Sequence, residues 1–185
     1  MAEEVVNEKI RKMGTNVITK AEEYLFIEKR LSEIYPQKIL TLYPAYKSSR
    51  DGDDSESFHT KCDDIVGSVV LIKSGEDLVF GGYTKEKWKG DCVFKTDNTA
   101  FLFSFNPWKI YNIKKVKNAI FCSKNYGPCF GSITLAVNNN FNDNGGWCCS
   151  SILSCFDGYD TDYHLSKGEN QFKILELEVY AVFVN

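Results

Sequence analysis

Residues 172–184 read FKILELEVYAVFV, and the alternation inside them sets the fold class. Successive side chains of a strand point to opposite sides, so Leu175, Leu177, Val179, Ala181 and Phe183 share one face and Glu176, Glu178 and Tyr180 the other. One face is expected to be core. Upstream, from Ser68 onward, similar runs recur: SVVLIK (68–73), LVFGGY (78–83), AFLFSF (100–105), KIYNI (109–113), NAIFC (118–122) and FGSITLAV (130–137). Gly, Asn, Asp and Pro clusters separate them at short intervals, and no helical pattern long enough for a parallel crossover lies between them. The predicted fold is mainly β: an antiparallel β-sandwich of two sheets flanked by short helices.

Ahead of the strands, Val6, Ile10, Met13, Val17, Tyr24, Ile27, Leu31 and Ile34 follow a 4,3 spacing interrupted at Lys20, the pattern of a heptad seam. Gly14-Thr15-Asn16 are poor helix formers, whereas Thr19 and Glu22 have the spacing of a capping box. The predicted layout is an N-terminal extension over residues 1–16, holding a short helix over 3–13, and a domain over residues 17–185. That domain opens with a capped helix over 20–34. Its apolar face of Tyr24, Ile27, Leu31 and Ile34 is assigned to the core, with dimerisation through it as the alternative. The polar run 48–57 reads as turn, with Asp54 or Ser55 capping a short helix through Cys62. Residues 138–146 (NNNFNDNGG) read as a flexible surface loop.

Composition narrows the function classes. The 185 residues include 13 Phe, 10 Tyr and 3 Trp, enough for one hydrophobic core. With 22 basic against 25 acidic side chains the net charge is -3, so no global positive field gathers nucleic acid. A local patch of Lys109, Lys114, Lys115 and Lys117 reads as solvated loop or strand edge. No apolar stretch approaches the roughly 20 residues needed to span a bilayer, acids precede any apolar run, and Ala2 excludes N-myristoylation. Seven cysteines without a leader favour reduced thiols. The expectation is a cytoplasmic protein, with the nucleus as the alternative compartment.

Chemistry-bearing residues are few. His59 and Cys62 sit three apart, a spacing that suits a thiolate-imidazole pair, but no orienting acid stands at a recognisable distance. His164 lies in a polar loop and reads as exposed. The cysteine spacings match no zinc knuckle, and the acidic run Asp51, Asp53, Asp54, Glu56 lacks the glycine and glutamate positions of a calcium loop. Gly81-Gly82 ends a strand without a following phosphate loop and reads as room for a bend or a bulky neighbour. No catalytic set, metal site or cofactor is predicted. Cys62 and the Cys148-Cys149 pair are the candidate redox thiols.

One phrase carries more. Residues 46–62, YKSSRDGDDSESFHTKC, hold Tyr46, then Arg50-Asp51-Gly52, then Phe58-His59-x-Lys61-Cys62. Ahead of it stand Val17-Ile18-Thr19-Lys20-Ala21-Glu22-Glu23 and Tyr35-Pro36. After it come Phe80-Gly81-Gly82-Tyr83, Trp88, the 101–105 strand, Phe130-Gly131 and the closing Leu177-Glu178-Val179-Tyr180. In this order the passages resemble a TLDc domain, the module of oxidation-resistance proteins, from about Val17 to Val184. Ser132 departs from the pattern, where a further glycine is typical, and so does the Asn-rich loop. The expectation is a stand-alone domain, without a LysM or GRAM module ahead of it.

The resemblance implies a non-enzymatic protein-interaction module acting in the oxidative-stress response. For several members it also implies binding to peripheral subunits of the vacuolar proton ATPase. The candidate interaction and motif residues are Arg50, Asp51, Gly52, Gly81, Gly82, Phe130, Gly131 and Glu178, the last also readable as an outward strand carboxylate paired to a nearby Arg or backbone amide. Two alternatives stand beside it: a thiol protein that consumes oxidant, and a stress-responsive DNA-binding regulator using lysines 109–117.

Overall fold

Residues 68–74 are buried at every position except a half-buried Lys73, and residues 101–105 are buried throughout, which a sheet with one wet face does not allow. The computed structural model describes residues 2–75, 78–132, 134–148, 155–157, 165 and 171–185. The helices are α1 (Ala2–Met13), α2 (Ala21–Ile34), α3 (Ser48–Asp51), α4 (Ser55–Cys62) and α5 (Phe141–Asn144). The strands are β1 (Leu40–Lys47), β2 (Ser68–Ser74), β3 (Val79–Thr84), β4 (Val93–Lys95), β5 (Phe101–Phe105), β6 (Trp108–Asn112), β7 (Ile120–Cys122), β8 (Tyr126–Phe130), β9 (Leu135–Asn138), β10 (Gly146–Cys148), β11 (Gln171–Phe172) and β12 (Ile174–Val184).

Two antiparallel sheets form. Sheet A runs β1-β12-β2-β3-β5-β6 and sheet B runs β11-β10-β9-β8-β7-β4. The predicted β-sandwich with short flanking helices is the architecture that forms. Two cores hold it. Between the sheets lie Val70, Ile72, Phe80, Leu102, Leu177 and Val179 of sheet A against Ile120, Phe130, Leu135 and Val137 of sheet B. On the other side of sheet A, Val69, Leu71, Tyr83, Phe101, Phe103 and Tyr180 pack under Val6, Met13, Tyr24, Ile27 and Leu31 of α1 and α2. Sheet A is thus a middle layer. The α2 face offered as a dimer surface is covered within the chain, with Tyr24 2%, Ile27 0% and Leu31 1% exposed.

The solvated face predicted for residues 172–184 is therefore corrected. Glu176, Glu178 and Tyr180 are buried on the helix side of sheet A, at 5%, 0% and 1% exposed. The alternation holds for Leu177 and Val179 but fails at the ends. A register shift between Ile174 and Glu176 keeps Ile174 in the inter-sheet core and turns Leu175 out to 49% exposure. Phe183 lies beyond that core, 53% exposed, and meets the ring of Tyr43 edge-on at 4.9 Å.

Local chemistry explains the other departures. β1 escapes a pattern search because Pro44, tolerated on an edge strand, interrupts its alternation beside a bulge. FGSITLAV is not one strand, since β8 closes at Phe130 and β9 opens at Leu135. The α2 start is held by Glu23 rather than Glu22, its carboxylate accepting the N–H of Thr19 at 2.8 Å and of Lys20 at 3.0 Å. The Asn-rich loop is anchored by Phe141, fully buried in the inter-sheet core, whose N–H donates to Asp53. The predicted α4 cap is present, with Asp54 accepting from Ser57 N at 2.7 Å.

Candidate functional site

The polar passage 46–52 packs beside β12 because Lys47 is the register partner of Glu178. Two carboxylates on the helix side of β12 then gather every polar group within reach. Glu178 accepts from Thr15 Oγ1 at 2.6 Å, Asn16 N at 2.7 Å and Tyr180 OH at 2.8 Å, and faces Lys47 Nζ at 3.1 Å. Glu176 accepts from Ser48 Oγ at 2.8 Å, Ser49 Oγ at 2.6 Å, Ser49 N at 3.1 Å and Asn16 Nδ2 at 3.1 Å. Lys47 Nζ also donates to Gly14 O at 2.6 Å. Together they clamp the break between α1 and α2, the end of β1 and the last strand.

Burial pushes the Glu176 carboxyl up, but donors from Ser49, Asn16 and Ser48 outweigh it and hold the group below its ordinary value of 4.5. Burial first, then the neighbouring Glu178 charge, pushes the Tyr180 phenol upward. Both carboxylates have their lone pairs occupied, so they act as anchors rather than as an acid and a base.

The other predicted residues divide in the same way. Arg50 is half-exposed and grips Asp51 through Nε at 2.9 Å and Nη2 at 2.6 Å. That bond holds the Asp51 carboxyl low despite its burial. Asp51 also accepts Lys47 N at 2.9 Å, and Gly52 O accepts from the buried Tyr46 hydroxyl. Gly81 and Gly82 lie inside β3 rather than at a turn. A Cβ on Gly82 would sit 2.8 Å from Leu102 Cδ2 and 2.8 Å from the Phe130 ring, and one on Gly81 would strike the carbonyl oxygen of Val70. Phe130 is fully buried against Trp88, ring centroids 5.3 Å apart, and Gly131 N donates to Ala119 O at 2.8 Å. Glu178, offered as a surface residue, has no exposed area. Of the eight, only Arg50 presents much of its side chain to solvent.

The thiols and histidines complete the account. Cys62 is fully buried, and burial pushes its thiol far above the ordinary range, which disfavours the thiolate. Cys148 ends β10, while Cys149 and His164 lie outside the described residues. His59 Nδ1 stands 2.6 Å from Asp63 Oδ1, and Nε2 stands 2.9 Å from Ser123 O and 3.0 Å from Tyr126 O. The imidazole is a tie between α4 and sheet B.

Sequence reasoning missed the outer face of sheet B. Ile120 and Phe130 are register partners facing the inter-sheet core, so Phe121 and Cys129 face outward, as does Ala136 opposite Cys129. A groove of about 550 Å³ crosses this face, lined by Cys92, Phe121, Tyr126, Cys129 and Ala136 among others. On and beside it Phe94 and Tyr126 are 44% and 40% exposed, and the Phe94 and Phe121 rings touch at 4.9 Å. The only signal was the short apolar pair Val93-Phe94 in a polar segment.

A two-sheet antiparallel sandwich, helices on one outer face and a carboxylate clamp at its closing strand, defines the class of domain. The TLDc domain family model matches residues 13–183, and the chain belongs to the TLDc domain family. Over 55 residues it is 34% identical to MTOR-associated protein MEAK7 of Xenopus laevis and 38% identical to MTOR-associated protein MEAK7 of Gallus gallus. Each match covers 28% of this chain and 12% of the relative.

Proposed function

We propose that this chain is a non-enzymatic protein-interaction domain. The observation that carries the reading is a division of labour among its side chains. His59, Glu176, Glu178 and the buried Asp97 are each committed to tying chain segments together, while apolar side chains are left exposed on the outer face of sheet B. A surface of that kind suits partner binding better than bond-breaking. Family membership extends the reading to the oxidative-stress response and to the peripheral subunits of the vacuolar proton ATPase as partners. The MEAK7 relatives are named as associated with MTOR, which adds a signalling complex to the candidates. Affinity capture of the tagged chain from oxidant-stressed cells tests this, with identification of what is enriched. Enrichment of ATPase or MTOR-complex subunits is the expected result. Loss of the reading follows if nothing is enriched and the purified chain consumes peroxide instead.

A further inference from the structure

The net charge of -3 conceals a strong asymmetry. Between Lys85 and Lys124 stand nine lysines against three acids, and elsewhere thirteen basic residues face twenty-two acidic ones. One of the three acids, Asp97, is buried and occupied by Thr84, Lys85 N and Thr99. Part of this segment builds the β4 edge of sheet B and the turn after β7, carrying Lys95 and Lys124, whereas Lys109 lies on β6 of sheet A with Lys114, Lys115 and Lys117 just after it. Lys124 lies in sequence between the groove-lining Ser123 and Asn125 and makes no ion pair among the described residues. Lys87 and Lys89 share a single exposed carboxylate, Asp64, at 3.6 and 3.5 Å.

The groove runs across β7, β8 and β9 rather than along a free strand edge, so an added strand does not fit it, whereas an element lying on the face does. Its floor is small and recessed: Cys129 is 1% and Ala136 2% exposed. A flat bilayer surface does not reach such a floor, and nothing apolar there reads a phosphate backbone. A helix side chain does reach it, and the molecule already contains the precedent, since α2 seats Tyr24, Ile27 and Leu31 on the outer face of sheet A. Among the described residues no helix covers the corresponding face of sheet B.

Resting on the interaction-domain reading, we infer that the outer face of sheet B is the docking groove for an acidic amphipathic helix of a partner protein. Apolar residues at i, i+3, i+4 and i+7 enter between Phe121, Tyr126 and Ala136, and the carboxylates of its flank face Lys124. The probe is a fluorescein-labelled synthetic helix with leucines at those positions and glutamates elsewhere, followed by anisotropy against the full chain. Saturable binding is expected. Lys124→Glu combined with Phe94→Glu should weaken it at least about tenfold while the chain stays folded, with only the small drop in melting temperature that loss of the Phe94–Phe121 contact brings. A probe with lysine in place of glutamate should bind at least about tenfold more weakly. No binding, equal binding of both probes, indifference to the double substitution, or binding only of phosphatidylserine vesicles or duplex DNA overturns the inference. Affinity capture from stressed cells separates the two levels. If the double variant recovers the same partners as the wild type, docking lies on another face and the interaction-domain reading survives. If the wild type recovers none, that reading fails.

Discussion

Glu178 offers the sharpest test of the clamp, because its carboxylate is wholly removed from water yet carries four partners from three segments. Replacing it by alanine leaves Lys47 Nζ without its counter-ion and strips acceptors from Thr15, Asn16 N and Tyr180. Breaking a buried ion pair by removing one partner costs about 3–5 kcal/mol. A domain of this kind is held by only about 5–15 kcal/mol. Glu178→Ala should therefore remove about a fifth or more of the stability, read as a lowered urea midpoint with little change in slope. Glu178→Lys should fail to fold, since two ammonium groups about 4 Å apart repel by roughly 4 kcal/mol at an effective dielectric near 20. Pairing Glu178→Ala with Lys47→Met completes a double-mutant cycle. Recovery should be only partial, because the Thr15 and Asn16 donors stay unsatisfied. A Glu178→Ala protein within about 1 kcal/mol of wild type would refute the account, because exposed charges normally cost no more than that.

Three further outcomes follow from the same structure. Gly82→Val should destabilise by about 1–3 kcal/mol or more in thermal melts, because its side chain enters space held by Leu102 and the Phe130 ring; an unchanged melt would mean that the two strands part freely there. The Glu176 carboxyl titrates lower in the folded chain than in the unfolded one, so its stabilisation is present above about pH 4.5 and is lost as the pH falls through the depressed folded value. Glu176→Gln should accordingly flatten the acid limb of the stability profile, and an unaltered limb would remove Glu176 from the clamp. Cys92 is exposed whereas Cys62, Cys122, Cys129 and Cys155 are buried, so brief alkylation of the native chain should mark Cys92 and spare those four. Native labelling of Cys62 at a comparable rate would restore it as a candidate redox thiol.

What the sequence discloses depends on whether a residue's partner is near in sequence. The strand runs, the α4 cap and the break at Gly14-Thr15-Asn16 are local and were legible. The double burial of sheet A was half legible: SVVLI and AFLF are continuous apolar runs, as expected of strands covered on both faces, yet the alternation of the last strand suggested one wet face. Its carboxylates look solvated only while Thr15, Asn16 and Ser48, more than 120 residues away, are left out of view. A buried charge cannot be told from an exposed one without its donors. The sheet B groove was illegible for a related reason: its floor, Cys129 and Ala136, comes from different strands and becomes one surface only through register.

This distribution bears on how partner choice is encoded. The passages that carry the TLDc resemblance, from Arg50-Asp51-Gly52 through Phe80-Gly81-Gly82 to Leu177-Glu178-Val179-Tyr180, are committed to caps, close approaches and the clamp. Changing them changes the fold before it changes any surface. A side chain that selects a partner must instead be free to vary without unfolding the domain, which requires exposure and few internal ties. Phe94, Tyr126 and Lys124 meet that condition on and beside the outer face of sheet B, and Arg50, tied to Asp51 and set beside the clamp, meets it only in part. The motif therefore reports what the domain is, and the lysine-flanked face of sheet B is where differences in what it binds have physical room to arise.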